Sequence, residues 1–314
     1  MKTRSNRGRK PVAYTKEELE REPLVILVTG ENTVGKRNRT KQEINHYLQD
    51  LPELGKKGRK VLIVDDQDAL SDIRTVSPSH LGGLTQVSPR RIRPYNTDGT
   101  PMTQEDKQEV LDHIIRKYRN GLVVLSGVEI YANNAKGKTL MGQLLSTQNA
   151  GRDLMVSFSS ISKISKELWP YCVWLRMHHQ VEELFKYKRT LPRYSLLRVA
   201  QLIINEHYDR AQTAYDRQHI SAEEHERLIG FSLYVNLRAG KIRGCSQPAF
   251  IRAAKKYIDQ EEQAKLKLMV NEEDEAGLPK YKDKQNAVVH LIMEMGRMWD
   301  HGTQHQWVYA SDSP

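Results

Sequence analysis

The chain has 314 residues, 38% apolar and 28% charged, with a formal net charge of +10. That length is enough for a sizeable core and two structural parts, and the composition excludes a chain that stays disordered throughout. The longest apolar runs are strand-length, far below the roughly 20 residues of a membrane helix, and two cysteines, Cys172 and Cys245, are too few for a disulfide framework.

A reducing, cytoplasmic compartment is therefore expected, and the basic excess points to a polyanionic partner, most simply nucleic acid. Residues 1–19 read as a basic flexible tail (Lys2, Arg4, Arg7, Arg9, Lys10) with no apolar segment behind it, so no secretory signal is expected. Thr15-Lys16-Glu17-Glu18 carries a capping-box pattern. Leu24-Val25-Ile26-Leu27-Val28 is a continuous run rich in branched residues, as a strand buried on both faces requires.

The next eight residues, Gly30-Glu31-Asn32-Thr33-Val34-Gly35-Lys36-Arg37, are the most informative in the chain. They follow a strand, precede a helix-like run from Asn38 to Leu51, and complete the pattern G-x-x-x-x-G-K. The first glycine turns the chain off the strand, and the second lets main-chain N–H groups approach an anion. The following helix aims its positive end at the same point. Gly30, Thr33, Val34, Gly35, Lys36, Arg37 and Asn38 are the expected nucleotide-binding residues, with Lys36 reaching the terminal phosphates of ATP. Arg37 occupies the place of the Ser or Thr that holds Mg2+ in this motif. It can act as a fixed cation against phosphate, which favours binding over metal-assisted transfer. Thr40, one turn on, offers a hydroxyl in a less suitable position.

Val61-Leu62-Ile63-Val64 reads as the second strand, ending in Asp65 and Asp66. Ligands collect at the carboxyl ends of parallel strands, so these two carboxylates are the candidate metal ligands. Residues up to about Thr103 are rich in Pro, Gly and Ser and read as an irregular insertion, with a basic knot at Arg90, Arg91 and Arg93. Thr103 caps a helix running to about Arg119. Gly121–Leu125 is a third strand, a short helix lies near Leu140–Leu145, Asp153–Phe158 is a fourth strand and Tyr171–Arg176 a fifth. Strands alternating with helices through short loops predict an α/β fold with a parallel sheet. Helical stretches at roughly 195–230, 248–270 and 284–298 follow. The expected division is a P-loop domain over residues 20–180 and a helical region over 181–314.

Other features weigh less. Ala132–Thr139 is a rival phosphate loop that has the threonine the first one lacks, but alanine stands at its turn. Lys186, Lys188, Arg189, Arg193 and Arg198 interleave with Tyr187 and Tyr194, and together with Arg90, Arg91 and Arg93 they are the expected DNA contacts. His178 and His179 are adjacent and show no zinc spacing. Trp169, Trp174, Phe185 and Trp299 read as core, and Cys172 as inert.

The glycine loop, the acid-ended second strand, the polar-ended third strand and the segment from Arg152 to Ile164 together resemble the P-loop ATPases of the FtsK/HerA type. Among these, virus packaging ATPases and relatives of the zonular occludens toxin of filamentous phages are the most similar. The resemblance spans residues 24 to about 180. It implies ATP as a cofactor, with Mg2+ if the chain hydrolyses it, ring assembly, DNA pumped through a central channel, and a bacterial or phage-infected host cell. By the same resemblance, an Asp-Glu pair belongs at the end of the third strand, where this chain has Ser126-Gly127. A Gln belongs at the end of the fourth, where it has Ser159-Ser160. Glu129 is then the candidate for orienting the attacking water, and Arg152 for a charge-stabilising finger toward a neighbouring subunit. Two functions follow: a DNA translocase or packaging-type ATPase, or a hydrolysis-deficient relative serving as a structural or nucleic-acid-binding assembly protein.

Overall fold

The computed structural model describes residues 24–52, 57–127, 134–145 and 151–301. They divide into two compact units, one of residues 24–26 and 40–158, the other of residues 27–39 and 159–301.

In the first unit β2 (Lys60–Val64), β3 (Pro89–Ile92), β4 (Gly121–Leu125) and β5 (Arg152–Phe158) lie in the order β3-β2-β4-β5. All of these pairings are parallel, with Val64 level with Ile92 on one side and Leu125 on the other, and Leu125 level with Val156. β2, β4 and β5 are almost wholly buried, which is why they read as unbroken apolar runs rather than alternating ones. The Leu154 N–H donates to the Leu24 carbonyl at 2.8 Å, placing the start of β1 (Val25–Thr29) beside β5. Asp153, fully buried, accepts from the Leu24 N–H at 2.9 Å and from the Tyr47 hydroxyl at 2.5 Å, tying the end of α1 (Lys36–Tyr47) to the same strand. α2 (Gln104–Lys117) begins at the expected cap, where Thr103 and Asp106 form a reciprocal capping box. α3 spans Ala135–Leu145.

In the second unit the later half of β1 is followed in the order β1-β6-β7-β8 by β6 (Trp174–Met177), β7 (Leu233–Asn236) and β8 (Lys241–Arg243). The last two pairings are antiparallel. Beyond its regular bonds, the edge of β6 continues along β1 through His178 N–H to Thr29 carbonyl (2.9 Å) and Glu31 N–H to His179 carbonyl (3.1 Å). The helices are α4 (Tyr194–Asp216), α5 (Ala222–Ile229), α6 (Gln247–Glu261), α7 (Gln263–Val270) and α8 (Lys284–Gly296). α4 is the longest, and it buries Leu196, Leu197, Val199, Ala200 and Ile203 at helical spacing. No helix among the described residues is long and apolar enough to cross a membrane.

Three expectations change. The stretch read as irregular around the basic knot contains β3, whose Arg-Arg centre hides its strand character. The stretch read as purely helical after Val181 contains β7 and β8, each too short for alternation to stand out. Phe185, read as core, is 53% exposed. The rival phosphate loop lies partly outside the described residues. Its Gly137-Lys138-Thr139 portion is inside α3, where the Thr139 hydroxyl donates to the Ala135 carbonyl at 3.0 Å.

Candidate functional site

β1 ends at Thr29 and α1 begins at Lys36, so the glycine loop sits between a buried strand and a helix N-terminus. Gly30 (φ +141°) and Gly35 (φ +72°) adopt backbone conformations that L side chains rarely adopt. Each also faces a neighbour at the limit of approach. A Cβ on Gly30 would lie 2.6 Å from His178 Cβ, and one on Gly35 would lie 2.7 Å from the Gly230 Cα. Glycine is therefore required at both positions by conformation and by space.

The loop's polar groups are disposed unevenly. The Glu31 N–H is used by the His179 carbonyl, and the Val34 carbonyl is held by His178 Nδ1 at 3.0 Å. A carbonyl accepts, so that nitrogen carries the proton. Among the described residues, the N–H groups of Asn32, Thr33, Val34 and Gly35 donate to no protein acceptor. Four consecutive donors left without protein partners can receive an anion. The Lys36 ammonium folds back onto the Gly30 carbonyl across the loop.

Cations crowd the same place. The first turn of α1 contains Lys36, Arg37 and Arg39 and no acid. Arg39 is buried and donates from Nε to the Tyr234 hydroxyl at 3.2 Å. Arg176, fully buried on β6, donates to the Lys36 carbonyl at 3.3 Å. Their effect registers on His178: burial first, then Arg176, Lys36 and Arg39, hold its imidazole well below the usual histidine range and therefore neutral. Glu31, the acid of the loop, accepts from the Val181 N–H at 3.0 Å and approaches His179 at 3.8 Å. His179 stacks on Tyr208 with ring centroids 3.6 Å apart. None of Arg39, Arg176, His178 or Gly230 stands out in the sequence as a loop partner. The histidine pair is visible there, but the strand pairing that carries it under the loop is not.

The other expected site residues have different surroundings. Asp65 is buried at the end of β2 and accepts from Ala69 N–H (3.1 Å), Leu70 N–H (2.9 Å) and Arg91 Nη1 (3.1 Å). Both oxygens thus serve a turn and an ion pair. Asp66 is half-buried in the same turn. The basic knot is likewise committed. Arg91 is buried against Asp65 and Asp68, and Arg93 forks onto Asp68 at 2.7 and 3.0 Å, holding that carboxyl below the usual carboxylate range. Arg90 is half-buried and donates to the Pro89 carbonyl at 2.9 Å.

Arg152 is 1% exposed and donates to the Ile114 and Ile115 carbonyls at 2.6 and 3.2 Å. Burial, aided by Arg119, lowers its pKa to about 10. A cation there completes the negative end of α2. Glu129 lies outside the described residues. Ser126 follows β4, and Gly127 adopts φ +62°. Lys186 pairs with Glu183 (2.7 Å), Lys188 approaches Glu261 (3.7 Å) and Arg193 donates to the Arg238 carbonyl (2.8 Å), while Arg189 is exposed.

For Mg2+ the residues do not fit. The hydroxyl position is an arginine, the Asp65 oxygens are engaged, and no group of three His, Cys, Asp or Glu that could hold a metal occurs among the described residues.

No protein-family model matches the chain, and no curated protein matches it. Solved structures are similar to it. One is B204, the DNA-packaging ATPase from Sulfolobus Turreted Icosahedral Virus, at 13% identity and TM-score 0.40, covering 71% of this chain and 97% of that one. Another is the genome packaging NTPase B204 from Sulfolobus turreted icosahedral virus 2 in complex with ATP-gammaS, at 13% identity and TM-score 0.42, covering 70% and 95%. The same protein in complex with AMPPCP is 15% identical, with TM-score 0.38 and the same coverage. These three solved structures are of viral genome-packaging enzymes.

Proposed function

We propose that the chain is an ATP-binding P-loop protein that acts on DNA, of the translocase or packaging type. The observation that carries this reading is the row of unpartnered N–H groups at Asn32–Gly35, between two obligatory glycines and beside Lys36. Those groups fit a row of phosphate oxygens. Asn32 to Gly35 would hold them by main-chain donation and Lys36 by charge, with Thr33 and Asn38 at the rim. ATP would supply the phosphoryl bond whose cleavage drives movement. His178 holds the crest of the loop from beneath, so the donors are aimed before the ligand arrives, which reduces the cost of ordering them on binding. The net charge of +10 and the sequence resemblance to packaging ATPases support DNA as the polymer acted on and a ring of subunits as the working form.

A second reading has specific observations in its favour. Arg37 replaces the metal-binding hydroxyl, Ser126-Gly127 replaces an acidic pair, Ser159-Ser160 replaces a glutamine, and Asp65 is committed to a turn. These favour a relative that binds nucleotide without turning it over and serves in assembly. Nucleotide binding and Mg2+-dependent phosphate release, measured on the full chain with and without DNA, separate the two. Release stimulated by DNA establishes the motor. Binding without release in every condition establishes the assembly role. A Lys36→Ala chain that binds ATP as well as the parent overturns the site.

A further inference from the structure

The loop's chemistry specifies the form of the ligand. This step rests on the phosphate-binding reading above. Three features of the loop's surroundings belong together. First, the N-terminal turn of α1 holds Lys36, Arg37 and Arg39 with no acid, although cations at the positive end of a helix are unfavourable. Their presence makes sense where an anion of higher charge sits against them. Second, Arg176 brings a further buried cation to the Lys36 carbonyl. Third, His178 is fully buried with its ring against the loop, and its Nε2 has no partner among the described residues. Gln180, 1% exposed and two residues on, has both amide atoms in the same condition. Buried polar groups without partners are costly unless a ligand or water meets them. Against these stands Glu31, whose carboxylate is held by the Val181 N–H.

In a phosphate loop that works with magnesium, the metal neutralises the outer phosphates and is itself held by a hydroxyl one residue after the lysine. Here that position carries a guanidinium. A guanidinium and a divalent cation compete for the same phosphate oxygens and repel each other at close range. We infer that the cradle takes its polyphosphate without a metal, as the free tetra-anion of a nucleoside triphosphate or as an inorganic polyphosphate. Arg37, with Lys36, supplies the positive charge that magnesium supplies elsewhere.

The test is titration calorimetry on the full chain, with ATP and separately with inorganic tripolyphosphate as probes, in EDTA and in excess Mg2+. The expected result is binding in EDTA that weakens several-fold when magnesium saturates the probe. Arg37→Ser should lose about tenfold or more in EDTA, the worth of one charge-assisted hydrogen bond, and should gain affinity on adding magnesium. Arg37→Lys should retain EDTA binding close to the parent value. A thermal melt of each variant reports folding. If Arg37→Ser does not fold, the parent comparison and Arg37→Lys decide the matter.

Parent binding seen only with magnesium overturns the inference and leaves the nucleotide reading intact. Equal EDTA affinity in parent and Arg37→Ser also overturns it. Absence of binding with and without magnesium sinks the nucleotide reading itself. Tripolyphosphate binding as tight as ATP assigns recognition to the phosphates alone, while ATP binding alone adds the nucleoside to the recognised group.

Discussion

The loop at Gly30–Asn38 and the turn at Asp65–Leu70 both follow the carboxyl end of a buried strand, yet they treat their polar groups in opposite ways. The turn is closed on itself. Two main-chain N–H groups and one buried guanidinium meet the Asp65 carboxylate, and Asp68 meets two more arginine contacts. The loop is left open, with four consecutive N–H groups unmet by protein and a cationic first turn beyond them. Strand-end position is shared by both. Whether the polar groups are satisfied internally is what distinguishes a structural corner from a place for a ligand.

The strongest way to break that contrast is to open the turn. Asp65→Ala leaves Arg91 buried beside a single half-buried carboxylate and frees two N–H groups, which should cost about 3 kcal/mol or more of stability. Denaturant unfolding measures this, and ATP affinity measured on the folded fraction should not change. A loss of affinity without a loss of stability would return Asp65 to the binding machinery. The converse change is Lys36→Ala. It should weaken ATP binding about thirtyfold, in line with about 2 kcal/mol for a charged contact, and leave the melting temperature near that of the parent.

A third experiment sharpens the role of the support beneath the loop. The depressed pKa of His178 means the folded chain binds fewer protons there than the unfolded chain. Its contribution to stability is therefore complete above the ordinary histidine value of 6.5 and is lost as pH falls below that value toward the depressed one. Melting temperature against pH should drop more steeply in the parent than in His178→Asn, whose amide can still donate toward the Val34 carbonyl. Parallel curves would remove the imidazole as the titrating group.

The smallest effect concerns DNA. The slope of log affinity against log salt should fall by about one on Arg189→Ala and stay unchanged on Arg93→Ala, because Arg93 is already forked onto Asp68. The reverse pattern would show that the ion pair opens to release its guanidinium to phosphate.

Local pattern determined much of this molecule. The strands β1, β2, β4 and β5 are legible because burial on both faces leaves only apolar residues to choose from, and the glycine loop is legible because only glycine fits its turn and its contacts. The cap at Thr103 is legible because it needs three neighbouring residues and nothing else. Tertiary structure alone decided which charges are available. Arg152, Arg91 and Asp65 look like site residues in the sequence and become internal partners once folded, because an ion pair or a helix-end bond depends on what arrives from elsewhere in the chain. The same holds under the loop, where His178 meets the Val34 carbonyl from 144 positions away. Spacing along a sequence carries information over a turn or two of helix or a few residues of strand. Contacts at that separation are set by the order of strands in a sheet, and that order is fixed only when the whole core packs.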